Sequence, residues 1–152
     1  MALEGTSMSL GKERLRIDMS ILRLELRAVI VPLSDRDKER VRISAARAVV
    51  AVGTFFDASV RPYEKPSGSF MVRAEADCIG DADQLVGRLV AAVGGVGWIT
   101  CGSVDEAEAV WASQEGAVPP LAAITTWAHV QAIPVSALPA ARREKSAPSL
   151  NS

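Results

Sequence analysis

The sequence contains one histidine, His129, and that limits the chemistry open to it. A single imidazole cannot build a histidine metal cluster, and any serine or cysteine triad would have to run through this one ring. His129 lies in the segment TTWAHVQ, two residues after Trp127 on the same outward face of an expected strand. No catalytic partner can be identified from spacing, so the expectation is a half-exposed strand histidine rather than a proton shuttle. Asp105, Glu106 and Glu108, together with Asp81 and Asp83, are oxygen donors of the type a hard divalent cation takes. Strand alternation divides them between two faces, however, and there is no Asp-x-Asp-x-Asp-Gly loop. They read as a solvated acidic strand edge that discourages edge-to-edge aggregation. The GGVG run from Gly94 to Gly97 follows a helical pattern instead of preceding one, so it is a cap and turn rather than a phosphate cradle. Cys78 and Cys101 are the only cysteines and are too far apart for a Cys-x-x-Cys pair. Two reduced, buried thiols are expected. No catalytic residue, metal or cofactor is assigned.

The composition narrows the partners. Apolar residues make up 49% of the 152-residue chain and charged residues 23%, with a formal net charge of −1. That is the profile of a globular protein with a single core, and a near-neutral balance gathers no phosphate backbone. Nucleic acid is excluded as an expected partner. No apolar run approaches the roughly 20 residues needed to span a bilayer, so no membrane segment is expected, and the start of the chain lacks the features of a secretory signal. A cytoplasmic location follows as an expectation.

The elements that must position these residues can be read from periodicity. Residues 1–18 show no sustained period and are expected to be a flexible segment, with Met8 offering an alternative start and residues 1–7 of uncertain origin. From Ile21, Leu22, Leu24, Leu26, Ala28 and Ile30 alternate with Arg23, Glu25 and Arg27, the mark of a strand with one wet face. Ser34 is a helix N-cap with Asp37 three residues on. Val41, Ala45, Val49 and Val52 recur at helical spacing toward Gly53, placed as a left-handed C-terminal residue, although Ala48 to Phe56 also fits a strand. ASVRPYE and SFMVRAEADC form a hairpin about KPSG, the second arm turning Phe70, Val72, Ala74, Ala76 and Cys78 inward and Met71, Arg73, Glu75 and Asp77 outward. Asp81 caps a second helix whose stripe is Leu85, Val86, Leu89, Val90 and Val93, stopped at Gly94 and Gly95. After Trp98 comes a short apolar link. VDEAEAVWA is expected as a fourth strand, with Glu106 and Glu108 outward, and LAAITTWAHVQAIPV as a fifth. The expected organisation is a single α/β domain over residues 19–136 and a disordered tail over 137–152.

This order, β-α-β-β-α-β with one additional C-terminal strand, predicts an α+β, ferredoxin-like sandwich with both helices on one face of an antiparallel sheet. Strands one and three would be central, bringing Arg23, Glu25 and Arg27 beside Arg73, Glu75 and Asp77 on an open, mixed-charge face. That face lacks the stacked aromatics of single-stranded RNA modules, and VPLSDRDKE stands where a metal chaperone would carry paired cysteines. The expectation is therefore a non-catalytic protein-binding module of the immunity-protein or regulatory kind, contacting another protein or a second copy of itself. Its contact residues would be Arg23, Glu25, Arg27, Arg73, Glu75, Asp77, Glu106, Glu108, Trp127 and His129. The alternative is a cofactor-independent small enzyme or small-ligand binder, formed as a dimeric α+β barrel with His129 or Trp127 lining a pocket.

Overall fold

A computed structural model describes residues 21–65 and 68–139 of the chain. Alternation in the first described segment produces strand β1 (Ile21–Ile30), whose even-numbered side chains Leu22, Leu24, Leu26, Ala28 and Ile30 are all buried on one face. Ser34 then caps helix α1 (Asp35–Val50), its hydroxyl accepting from the Asp37 amide at 3.3 Å. Strands β2 (Thr54–Tyr63) and β3 (Ser69–Ile79) follow as an antiparallel hairpin. Asp81 accepts from the Gln84 amide and opens helix α2 (Ala82–Val93), which ends at Gly94 with φ 78°. The last three strands are β4 (Ile99–Gly102), β5 (Ala107–Ala112) and β6 (Thr125–Pro134).

The fold is α+β, with two helices packed on a six-stranded sheet in the order β2-β3-β1-β6-β5-β4, every neighbouring pair antiparallel. This order differs from a simple four-strand pattern. The additional strands do not follow the fold as a C-terminal extension. They are β4 and β5, inserted between α2 and the final strand. The apolar link after Trp98 is strand β4, because Ile99 to Gly102 find a ladder partner in Val110 to Ala107 that local sequence does not reveal.

Both helices lie on the face that carries the small and branched residues. Val41, Ala45, Ala48 and Val49 of α1, and Leu85, Val86, Leu89 and Val93 of α2, join Val72, Ala74 and Ala76 of β3, Ala107, Ala109 and Trp111 of β5, and Ala128, Val130 and Ala132 of β6 in one core. Rows of alanine let the helices sit close to the sheet. Trp111 fills the remaining gap, its indole N–H donating to the Val96 carbonyl at 2.9 Å.

Three local expectations are corrected by packing. The segment Ala48 to Phe56 divides, helical to Val50 and extended from Thr54, because the chain turns at Gly53. That glycine does not provide a left-handed cap. It lies so close to β3 that a Cβ there would meet the Asp77 carbonyl oxygen at 2.8 Å and the Cys78 Cβ at 2.9 Å. The fifth expected strand starts at Thr125 rather than Leu121. Leu121 and Ala122 have φ 63° and 46°, a left-handed conformation costing on the order of 1–2 kcal/mol per residue. Burial of Pro120 and Leu121, and the Thr125 hydroxyl donating to the Pro120 carbonyl, hold that turn. At the other end, packing continues through Leu138, which is buried, while residues 1–20 and 140–152, including the expected flexible segment and most of the expected tail, lie outside the described residues.

Candidate functional site

The face of the sheet away from the helices is built by the odd-numbered residues of β1 and β3 and their neighbours on β6 and β5. Register brings the expected residues together across four strands. Arg23 lies opposite Asp77, Glu25 opposite Glu75 and Arg27 opposite Arg73 on one side, while Glu25 faces Gln131 and Arg27 faces His129 on the other. Glu108 of β5 stands opposite Gln131.

Two of these facing pairs carry like charges, which opposes direct contact. The side chains resolve the conflict through diagonal contacts from Arg73 to Glu25 and from Arg23 to Glu75, beside the directly facing pair Arg23 and Asp77. Arg73 Nε donates to Glu25 Oε2 at 2.5 Å and lies 3.6 Å from Glu75, while Arg23 Nη1 reaches Glu75 Oε1 at 3.1 Å and Arg23 Nε reaches Asp77 Oδ1 at 2.6 Å. Gln131 Nε2 adds a 2.8 Å bond to Glu25 Oε1, and the Phe56 ring stacks on the Arg23 guanidinium at 4.6 Å. Each carboxylate at the centre thus sees more than one donor.

The open, wet face expected from alternation is corrected here. Arg23, Glu25 and Glu75 point away from the helices, as expected, yet retain only 1%, 2% and 3% of their accessible surface. Charges this deeply buried are held by charge-assisted hydrogen bonds, because the desolvation of each ion must be offset by a partner. Arg73 and Asp77 keep partial contact with solvent.

His129 is also corrected. It is buried, with 7% of its surface exposed, and it has two partners. Arg27 Nη2 lies 3.0 Å from Nδ1 and Glu108 Oε1 lies 2.8 Å from Nε2. A guanidinium has only donors, so Nδ1 must accept, which assigns the ring proton to Nε2, donating to Glu108. Trp127 stacks on His129 with centroids 5.8 Å apart and 16° between planes, and the Arg27 guanidinium lies 5.9 Å from the Trp127 centroid. Arg27 Nε is buried without a hydrogen-bond partner among the described residues.

Glu106 does not join this network. It precedes β5, its side chain is exposed, and its carbonyl accepts from the Ser103 amide at 2.8 Å in the β4–β5 turn. Asp81, weighed as a cation ligand, is engaged as the α2 cap. Of the two thiols, Cys78 is half-buried and Cys101 exposed, so the pair is not uniformly buried. Burial, then the neighbouring Asp77 carboxylate, push the Cys78 thiol up to about 11, with Arg88 acting in the opposite sense.

Gln131 and Phe56 were missed as members of the site. Gln131 could have been found, because it is two residues beyond His129 and shares its face by strand alternation. Phe56 could not, because β2 carries a register shift between Phe55 and Asp57 that only the paired sheet reveals.

Two shallow pockets flank the strip, and His129 lines neither. One, of 220 Å³, lies between Val29, Tyr63, Lys65, Thr126 and Trp127, and the other, of 260 Å³, between Cys101, Gly102, Glu106, Ala107, Glu108, Gln131 and Ile133. In the comparisons with known proteins, no family model, no curated protein and no solved structure matches this chain.

Proposed function

We propose that the chain is a non-catalytic protein-binding module of the regulatory or immunity-protein kind, acting through the sheet face opposite the helices. The observation that carries this reading is the engagement of both nitrogens of the single imidazole. Nδ1 accepts from Arg27 and Nε2 donates to Glu108, so neither is left to take a proton from a substrate. The alternative, a cofactor-independent enzyme closed as a dimeric barrel, needs that ring free or facing a pocket. What the face offers instead is a rim that reaches solvent around the buried pairs, with Arg73 and Asp77 on one side and Trp127 and Glu108 beside His129 on the other, a pattern suited to recognition by complementary charge. The β1-α1-β2-β3-α2-β6 subset, with strand order β2-β3-β1-β6, further supports a ferredoxin-like unit carrying an inserted β4–β5 hairpin.

The test is affinity capture with the intact chain from its native host, identification of the captured protein, and calorimetric titration of the purified pair. Trp127→Ala and the pair Glu106→Lys with Glu108→Lys should each weaken that complex by about tenfold or more; wild-type binding should weaken at high salt, where the loss from the charge reversal shrinks. Turnover of a small molecule that is abolished by His129→Ala, with the fold intact, would overturn the reading.

A further inference from the structure

The sheet has two edges, and they are unlike. On β2 the edge is guarded by three devices that block strand addition, namely the register shift between Phe55 and Asp57, the charged Asp57 and Arg61, and Pro62, which has no N–H. On β4 none of these is present. Its residues Ile99, Thr100, Cys101 and Gly102 are all exposed, carry no charge and pair only with β5 among the described residues. Ile99 leaves 72% of its surface open, and Val96, Val104 and Val118 around it are exposed as well. Unpaired backbone donors and acceptors beside exposed apolar side chains are the ingredients of a strand-addition site.

The surrounding charge names the occupant. Between Leu89 and Ala140 the sequence holds Asp105, Glu106, Glu108 and Glu115 and no lysine or arginine at all. Cys101, Glu108 and Gln131 are successive neighbours across β4, β5 and β6, and with Gly102, Glu106 and Ile133 they line the 260 Å³ pocket. A strand added outside β4 would place a residue opposite Cys101 about two strand spacings, roughly 10 Å, from Glu108. The stems of a lysine or arginine and of Glu108 together span that distance over the small Cys101 side chain. The Glu108 side chain, 54% exposed, is open to meet it.

We propose that β4 is a docking edge for an extended, basic segment of a partner protein, which pairs with Ile99–Gly102 and directs a lysine or arginine into the pocket of Glu106 and Glu108. The residue two positions from that lysine or arginine, on the same face of the segment, packs on Ile99, because Ile99 and Cys101 share one face of β4. The four-residue length of β4 admits one short segment and discourages open-ended stacking. This inference rests on the protein-binding reading and assigns it an edge and a partner chemistry.

The probe is the N-acetylated, C-amidated hexapeptide Thr-Val-Thr-Lys-Thr-Val, which puts valine and lysine on one face, with glutamate in place of the lysine as control, titrated into the full chain and followed by backbone amide shifts. The lysine peptide should move the amides of Ile99 to Gly102 and bind at least about tenfold more tightly than the glutamate peptide, a preference lost in Glu106→Gln with Glu108→Gln. Ile99→Lys, at an exposed site, should abolish binding with the melting temperature unchanged. Absence of shifts in β4 at millimolar peptide, or equal binding of both peptides, overturns the proposal. So does a dimer of the chain alone that Ile99→Lys dissociates, because the edge then belongs to a second copy. If the peptide fails while a captured protein still binds through Trp127, the edge is wrong and the binding-module reading stands. If no protein partner binds the intact chain by either surface, the reading itself fails.

Discussion

Replacing Arg23 by alanine should destabilise the protein by about 3 kcal/mol, the lower end of the range for breaking a buried ion pair. The guanidinium reaches Glu75 at 3.1 Å and Asp77 at 2.6 Å, with Phe56 stacked at 4.6 Å. Most of the loss comes from Glu75, whose carboxylate is 3% exposed and would lose a charged partner without gaining water. Asp77 contributes less because its side chain is 29% exposed and solvent screens it. With an unfolding entropy of about 2.1 cal/mol/K per residue, a chain of this size unfolds with roughly 0.3 kcal/mol/K, so the melting temperature should fall by about 10 °C. Thermal denaturation by circular dichroism at pH 7, repeated in urea, measures both quantities. Arg23→Met combined with Glu75→Met removes the buried pair and should recover much of the deficit, since the apolar pair strands no buried carboxylate and Asp77, which also loses Arg23, is 29% exposed to solvent. A loss below about 1 kcal/mol for Arg23→Ala, or a double variant worse than the single, would refute the view that buried pairing organises this face.

Four further outcomes follow from the same geometry. His129→Ala strands Arg27 and Glu108, so it should lower stability by about 1–2 kcal/mol in urea titration, with no change in peptide affinity at β4 beyond about threefold. Gly53→Ala forces a Cβ against the backbone of Asp77 and should cost about 1–3 kcal/mol by the same measurement. Iodoacetamide at pH 8, followed by mass spectrometry, should label exposed Cys101 first and leave Cys78 largely unmodified, because the Cys78 thiolate is scarce below about 11. A thiol held protonated in the fold stabilises it fully below the unfolded-state value near 9.0. That contribution is lost as pH rises from there toward about 11, so Cys78→Ala should flatten the alkaline decline in stability.

Much of the architecture was legible locally. Period-two alternation in β1 and β3 assigned every core-facing residue of those strands, and Ser34 and Asp81 marked both helix starts through side-chain bonds that involve only three-residue separations. Alternation also placed Arg23, Glu25, Arg27, Arg73, Glu75, Asp77, Glu108, Trp127 and His129 on one face, because side-chain direction in a strand is a property of the backbone alone.

What tertiary structure decided was the environment of that face. Whether a charge is wet depends on neighbours 21 to 106 positions away in the chain, as in the bonds of His129 to Glu108 and of Gln131 to Glu25. Register, set by the whole sheet, put Glu25 opposite Glu75 and Arg27 opposite Arg73, so the pairing had to run diagonally. The same long-range pairing turned an apolar link into β4 and gave His129 two partners that no spacing announced. Strand direction is local, but ladder partners, burial and protonation are collective, and so the sequence by itself determined which residues share the face while the folded sheet determined what they do there.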